Sequence, residues 1–155
     1  MTIKVALVGT TSWYSTMFAH SLMTLGPSRA VLVGTAHLGV DDEVLMRLNR
    51  VTREGLGERF GTRMFERAAD LLDATRPDVV LVTSPNTERA RHAVMALEAG
   101  ADTYVAKPMT TSVQGAGQIR AAARRHPDRL AGALNPARFA TAIRAAHRRV
   151  QAHIW

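Results

Sequence analysis

Apolar residues fall along this chain in two alternating rhythms. Short continuous runs, as over Ile3–Val8 and Ala30–Ala36, predict buried strands, and between them Tyr14, Phe18, Leu22 and Leu25 recur at helical spacing. Two acids open the segment 41–55 as a helix N-terminus prefers, and Val44, Leu48 and Val51 share a face there, so one helix is expected. A weaker strand is expected near Arg63–Phe65, then a short helix from Glu66 to about Thr75. Pro77-Asp78 marks a turn, and Val79–Thr83 is a β-branched run of the kind buried on both faces of a sheet.

The same alternation continues to the C-terminus. In SPNTERARHAVMALEAG the residues Ala90, Ala93, Val94 and Leu97 point one way, Asn86 or Thr87 can cap the start, and Gly100 can stop the end. DTYVAKP reads as a strand ended by Pro108, Thr111–Arg125 as a helix, and Leu130–Leu134 as a last short strand. Asn135-Pro136 has the form of an N-cap followed by proline at the first helical position, before a helix carrying Phe139, Ile143, Ala146 and Val150. Strands and helices alternating at these lengths predict an α/β fold, a doubly wound, mostly parallel sheet with helices on both faces. It is a Rossmann-type domain filling residues 1–155 without linker or low-complexity segment.

Composition narrows this picture. The 46% hydrophobic residues of the 155-residue chain suffice for a core without staples, and the absence of cysteine removes disulfides, zinc thiolates and cysteine nucleophiles, suiting a cytoplasmic location. Ile3–Val8 is too short for a signal-peptide core and no later apolar run reaches membrane-spanning length, so no membrane partner is expected. The net charge of +7 is spread over predicted helices, at Arg120, Arg124, Arg144 and Arg148, without interleaved stacking aromatics, which argues against nucleic acid. The six histidines form no metal-ligand pattern, so no metal site is expected, and neither a G-x-S-x-G elbow nor a P-loop lysine pattern occurs.

In an open parallel sheet, ligands bind beyond the carboxyl ends of the strands where strand order reverses, which selects three loops. In the first, VALVGTTSWYST, Gly9 keeps the first position of the dinucleotide fingerprint G-x-G-x-x-G, while Thr11 and Tyr14 replace the second and third glycines. Gly9, Thr10, Thr11, Ser12 and Trp13 are candidate dinucleotide contacts, binding weakly through a helix N-terminus and three hydroxyls; alternatively Trp13 and Tyr14 close the loop by packing. The second loop lacks the usual ribose-binding acid before Asp41: His37 can stack on adenine or donate to a 2′-phosphate, or be an exposed loop histidine, so NAD and NADP both stay open. The third, Ser84-Pro85-Asn86, can line a cofactor or simply leave the strand and cap the helix.

The block PDVVLVTSPNTERARHAVMALEAGADTYVAKPMTTS, residues 77–112, closely resembles the central part of the Gfo/Idh/MocA oxidoreductases, where a strand, a Pro-Asn loop, a helix ending in Ala-Gly and a Glu-Lys-Pro motif occur in that order. The resemblance implies an NAD- or NADP-binding domain acting by hydride transfer on a sugar, polyol or related small-molecule substrate. It places Lys107 and Pro108 near the nicotinamide, with Lys107 the catalytic residue; Ala106 stands at the glutamate position and Arg89 at a usual histidine. It implies, too, a second domain completing the substrate pocket and often a homo-oligomer interface. That domain is expected to be absent from this chain, which alone should turn over no sugar. A non-catalytic Rossmann module for protein contacts or nucleotide sensing is the alternative.

Overall fold

The computed structural model describes residues 1–135, 137 and 140–153. Along the chain lie β1 (Ile3–Val8), α1 (Trp13–Leu25), β2 (Ala30–Ala36), α2 (Asp42–Asn49), α3 (Arg53–Phe60), β3 (Met64–Phe65) and α4 (Ala68–Thr75). They are followed by β4 (Val79–Val82), α5 (Arg89–Glu98), β5 (Asp102–Ala106), α6 (Val113–Arg125), β6 (Ala131–Leu134) and α7 (Thr141–His153). The strands form one parallel six-stranded sheet in the order β3-β2-β1-β4-β5-β6, so strand order reverses between β1 and β4.

Alternation along each strand sends side chains to two cores. Ala6, Val8, Val80, Val82 and Val105 face Leu71 and Leu72 of α4, Ala93 and Ala96 of α5 and Ile119 of α6. Leu7 and Leu32 face Ala19 of α1 and Leu56 and Phe60 of α3. Small alanines on α5 and α6 let these helices approach the sheet and each other. The buried run Val5–Val8 and its partner β4 thus fix the floor of the crevice that opens at their carboxyl ends.

Four local expectations are corrected. The single helix over 41–55 is two, because Arg50 takes a left-handed conformation (φ 58°) and Thr52 starts α3 by accepting from the Gly55 N–H at 3.1 Å; Leu45 is buried, whereas Leu48 is exposed. Val79 and Leu81 are half-buried, because among the described residues it is α1 and α3 that cover this face of the sheet, over β1 and β2. Helix α5 begins at Arg89 with Glu88 as N-cap and no side-chain cap, so neither Asn86 nor Thr87 caps it. At the C-terminus α7 begins at Thr141, six residues past Asn135, and its Ile143 and Val150 are exposed, while Pro136 and Phe139 of the expected helix start lie outside the described residues.

Candidate functional site

The β1 exit is built around Gly9. Its φ is 104°, and a Cβ placed there would stand 2.4 Å from both Cα and N of Ser84, so only glycine lets β1 turn against the β4 exit. Hydrogen bonds lock this approach: the Gly9 N–H donates to Ala36 O at 2.8 Å, the Thr83 N–H to Val8 O at 2.8 Å, and Thr83 Oγ1 to Gly9 O at 2.7 Å. Next, Ser12 takes extended dihedrals and accepts from the Tyr14 N–H at 3.3 Å, which starts α1. Among the described residues, no protein acceptor meets the backbone N–H groups of Thr11, Ser12 and Trp13.

Thr10 is fully buried, its carbonyl accepting from Asn49 Nδ2 at 2.7 Å and its Oγ1 without a partner. Thr35 Oγ1, His37 Nδ1 and Asn49 Oδ1, near the carboxyl end of β2 or on the helix that follows, are likewise buried and unpartnered, as is Thr62 Oγ1 ahead of β3. Buried polar groups ordinarily find a partner, and these atoms keep unused hydrogen-bonding capacity. Tyr14 packs inward, stacked on Phe18 at 5.9 Å and on Trp13 at 4.3 Å, and Trp13 has 60% of its surface exposed.

His37 is not an exposed loop histidine: it is 6% exposed, its N–H donates to Phe65 O at 2.9 Å, and burial first, then the nearby Arg53, lower its pKa from the ordinary 6.5. Neutral at pH 7, it brings no charge to the β2 exit. Beside it Asp42 accepts from Arg53 N–H at 2.8 Å and Nε at 3.2 Å, which lowers the pKa of that carboxyl.

At the β4 exit Ser84 is buried and its Oγ pairs with His92 Nδ1 at 3.0 Å, while Pro85 and Asn86 are exposed. Burial, then Arg91, lowers the His92 pKa to about 4, so this histidine is neutral and structural near pH 7. Lys107 is exposed, with Nζ 5.8 Å from the centre of the Tyr14 ring, and it precedes Pro108 across a cis peptide bond. The structure thus gathers Gly9, Thr10 and Ser84 at one seam and Lys107 and Pro108 beside it, with His37 at the far side of β1. An open cavity of about 460 Å³, lined in part by Leu38, Glu66, Arg67 and His92, lies on the β2 side, away from Lys107.

Two residues here, His92 and Asn49, escaped the sequence reading, and for Arg89 it gave only the position. Arg89 is 5% exposed and spans the seam, Nε donating to Ser84 O at 2.8 Å and Nη1 to Ala106 O at 3.3 Å and Pro108 O at 2.8 Å. His92, three residues on and on the same helix face, was signalled only by that spacing. Asn49 bridges 39 positions to Thr10, a link no local pattern announces.

A parallel sheet reversing at β1/β4, with a glycine turn and free N–H groups at the reversal, defines a Rossmann-type domain. The chain belongs to the oxidoreductase family GFO_IDH_MocA, whose NAD-binding Rossmann-fold model matches residues 3–133. Among solved structures it is similar to the WlbA dehydrogenase of Bordetella pertussis, solved with NADH and UDP-GlcNAcA (TM-score 0.81, 18% identity, 97% of this chain and 42% of that one). Also similar are myo-inositol 2-dehydrogenase of Lactobacillus plantarum (0.81, 17%, 97% and 41%) and biliverdin reductase of Synechocystis, solved with biliverdin and NADP+ (0.77, 18%, 96% and 43%). The chain spans about two fifths of the length of these structures. No curated protein matches the sequence. Among the described residues no helix is long and apolar enough to cross a membrane, and no three histidine or acidic side chains form a metal-binding group.

Proposed function

We propose that residues 1–155 are the NAD(P)-binding part of a cytoplasmic oxidoreductase that acts on a hydroxyl or carbonyl carbon of a sugar, polyol or related metabolite. The observation that carries this reading is the Gly9 turn, which leaves the N–H groups of Thr11, Ser12 and Trp13 without protein acceptors at the start of α1. Such a turn fits a pyrophosphate, and the unpartnered Thr10 Oγ1 and His37 Nδ1 nearby fit the polar groups of a dinucleotide. When bound, the nicotinamide ring supplies the hydride chemistry.

The chain's own residues bind and orient. Gly9, Thr10, Thr11, Ser12 and Trp13 hold the phosphates, His37 borders the adenosine end, and Ser84, Pro85 and Asn86 line the middle of the crevice. Lys107 Nζ donates a hydrogen bond to the substrate oxygen; as a carbonyl is reduced it gives that oxygen a proton, and in the reverse direction it takes the hydroxyl proton back. Pro108 and the bonds from Arg89 hold the Lys107 backbone in place. A further domain supplies the rest of the substrate pocket and, with it, the surface for a homo-oligomer.

One observation favours a non-catalytic module instead: Ala106 puts a buried methyl where a carboxylate would orient Lys107. The two readings separate in a form of the protein that carries a substrate domain. There Lys107→Ala should lower kcat on the order of 10²-fold or more, while residues 1–155 alone turn over no sugar. An unchanged kcat removes Lys107 from the chemistry.

A further inference from the structure

Arg89 is a buried cation that no acid neutralises. Its pKa is lowered by burial and opposed only by the Tyr14 phenol, and the ion pairs of the described residues, Arg53–Asp42, Arg67–Asp70, Arg91–Glu88, Arg125–Glu98, His126–Glu98 and Arg129–Asp128, leave it out. Three carbonyls occupy Nε and Nη1, and among the described residues no acceptor meets Nη2. Those carbonyl dipoles offset part of the cost of burying the charge and none of the charge itself.

Lys107 stands at the same place. Its Nζ lies over the ring of Tyr14, it too joins no ion pair among the described residues, and the Ala106 side chain before it is neutral. Two cations therefore meet where β1, β4 and β5 end, Arg89 being bonded to the carbonyls of Ala106 and Pro108 on either side of Lys107. The rest of this rim does not cancel them: Glu88 at the N-cap of α5 is taken up by Arg91, and α1, α5 and α6 carry no acid in their first turns, whereas α2, α3 and α4, toward the other edge, carry Asp42 and Glu43, Glu54 and Asp70. In a partly desolvated crevice this potential selects by sign.

We propose that the substrate taken beside Lys107 is an anionic sugar or polyol, its acid group held by the joint positive potential of Lys107 and of Arg89 beneath it, while the Lys107 Nζ hydrogen bond stays with the reacting oxygen. This rests on the oxidoreductase reading above. Carboxylate and phosphate share the required chemistry; a neutral sugar lacks it. Arg89 discriminates here by charge, and its three carbonyl bonds position the turn that presents Lys107.

The test uses ¹⁵N-labelled protein of residues 1–155, first shown to bind NADH and then kept saturated with it. Glucuronate, glucose 6-phosphate and glucose are titrated while the amide signals of Ala106, Lys107 and Met109 are followed. At least one anion should saturate at roughly tenfold lower concentration than glucose, and raising NaCl from about 0.05 to about 0.5 M should erase most of that preference. Which anion binds tighter assigns the acid group. Arg89→Gln should cut the preference below about threefold, and Arg89→Lys, which keeps the charge, should restore it. Equal binding of glucose, no saturable anion shift in NADH-loaded protein, or a preference untouched by salt overturns the proposal. So does a full preference in a folded Arg89→Gln. Failure to bind NADH at all overturns the underlying reading instead.

Discussion

Replacing Gly9 by alanine adds a single methyl group at the seam between β1 and β4. Its Cβ would stand 2.4 Å from Ser84 Cα and N and 2.8 Å from Thr83 C, all backbone atoms of a paired strand exit that cannot swing aside. The φ of 104° adds its own cost, about 1–3 kcal/mol for a residue with a Cβ, and relieving the overlap costs about 1–3 kcal/mol more. Together these give a loss of about 2–6 kcal/mol, a large share of the 5–15 kcal/mol by which a domain is typically stable. Gly34→Ala is the control: its Cβ would meet Leu71 Cδ1 at 2.4 Å and Phe65 Cε2 at 2.9 Å, but both are side-chain atoms rather than backbone, and no unusual φ is involved. Urea unfolding followed by circular dichroism measures both, and Tm should fall by about 5–20 °C for Gly9→Ala. A loss below about 1 kcal/mol, or one smaller than that of Gly34→Ala, refutes the rigid seam.

Two further outcomes follow from named contacts. His92 is held near pKa 4 against an ordinary 6.5, so the unfolded chain takes up its proton first; the stability this histidine confers is complete above about pH 6.5 and is lost as pH falls toward 4. The difference between wild type and His92→Asn in urea unfolding at pH 7 and pH 4.5 should change by about 2–3 kcal/mol, and no change contradicts the buried neutral ring. Asn49→Ala removes the donor to Thr10 O and should cost about 1 kcal/mol, with dinucleotide binding weakened several-fold by calorimetry; wild-type affinity would separate Asn49 from the site.

The sheet was legible because β1, β2 and β4 are largely apolar runs and β5 is ended by Pro108, patterns little disturbed by context. The break between α2 and α3 was not, since Arg50 in a left-handed conformation carries no glycine or proline to announce it. Apolar spacing overstated the burial of Leu48, Ile143 and Val150, because a stripe says nothing of what packs against it. At the site, Gly9 and Lys107 could be named from motif position. The bonds of Arg89 to Ala106 and Pro108 join residues 17 and 19 apart, and the burial of His37 depends on β3 pairing, so both are properties of the folded sheet. Tyr14, at the third glycine position of the fingerprint, stacks its ring with Trp13 and Phe18 and has Lys107 Nζ 5.8 Å from its centre.

The central claim is that the Gly9 turn and the start of α1 hold a dinucleotide. Trp13 reports on that place directly, exposed and stacked on Tyr14 within the loop, once Trp155→Phe removes the other indole. NADH and NADPH are titrated separately into this variant, with calorimetry as a second readout. The account predicts a saturable change in Trp13 fluorescence, with matching heat, for at least one of them. No heat and no corrected fluorescence change at millimolar cofactor would contradict it and leave a non-catalytic module as the better description of the chain.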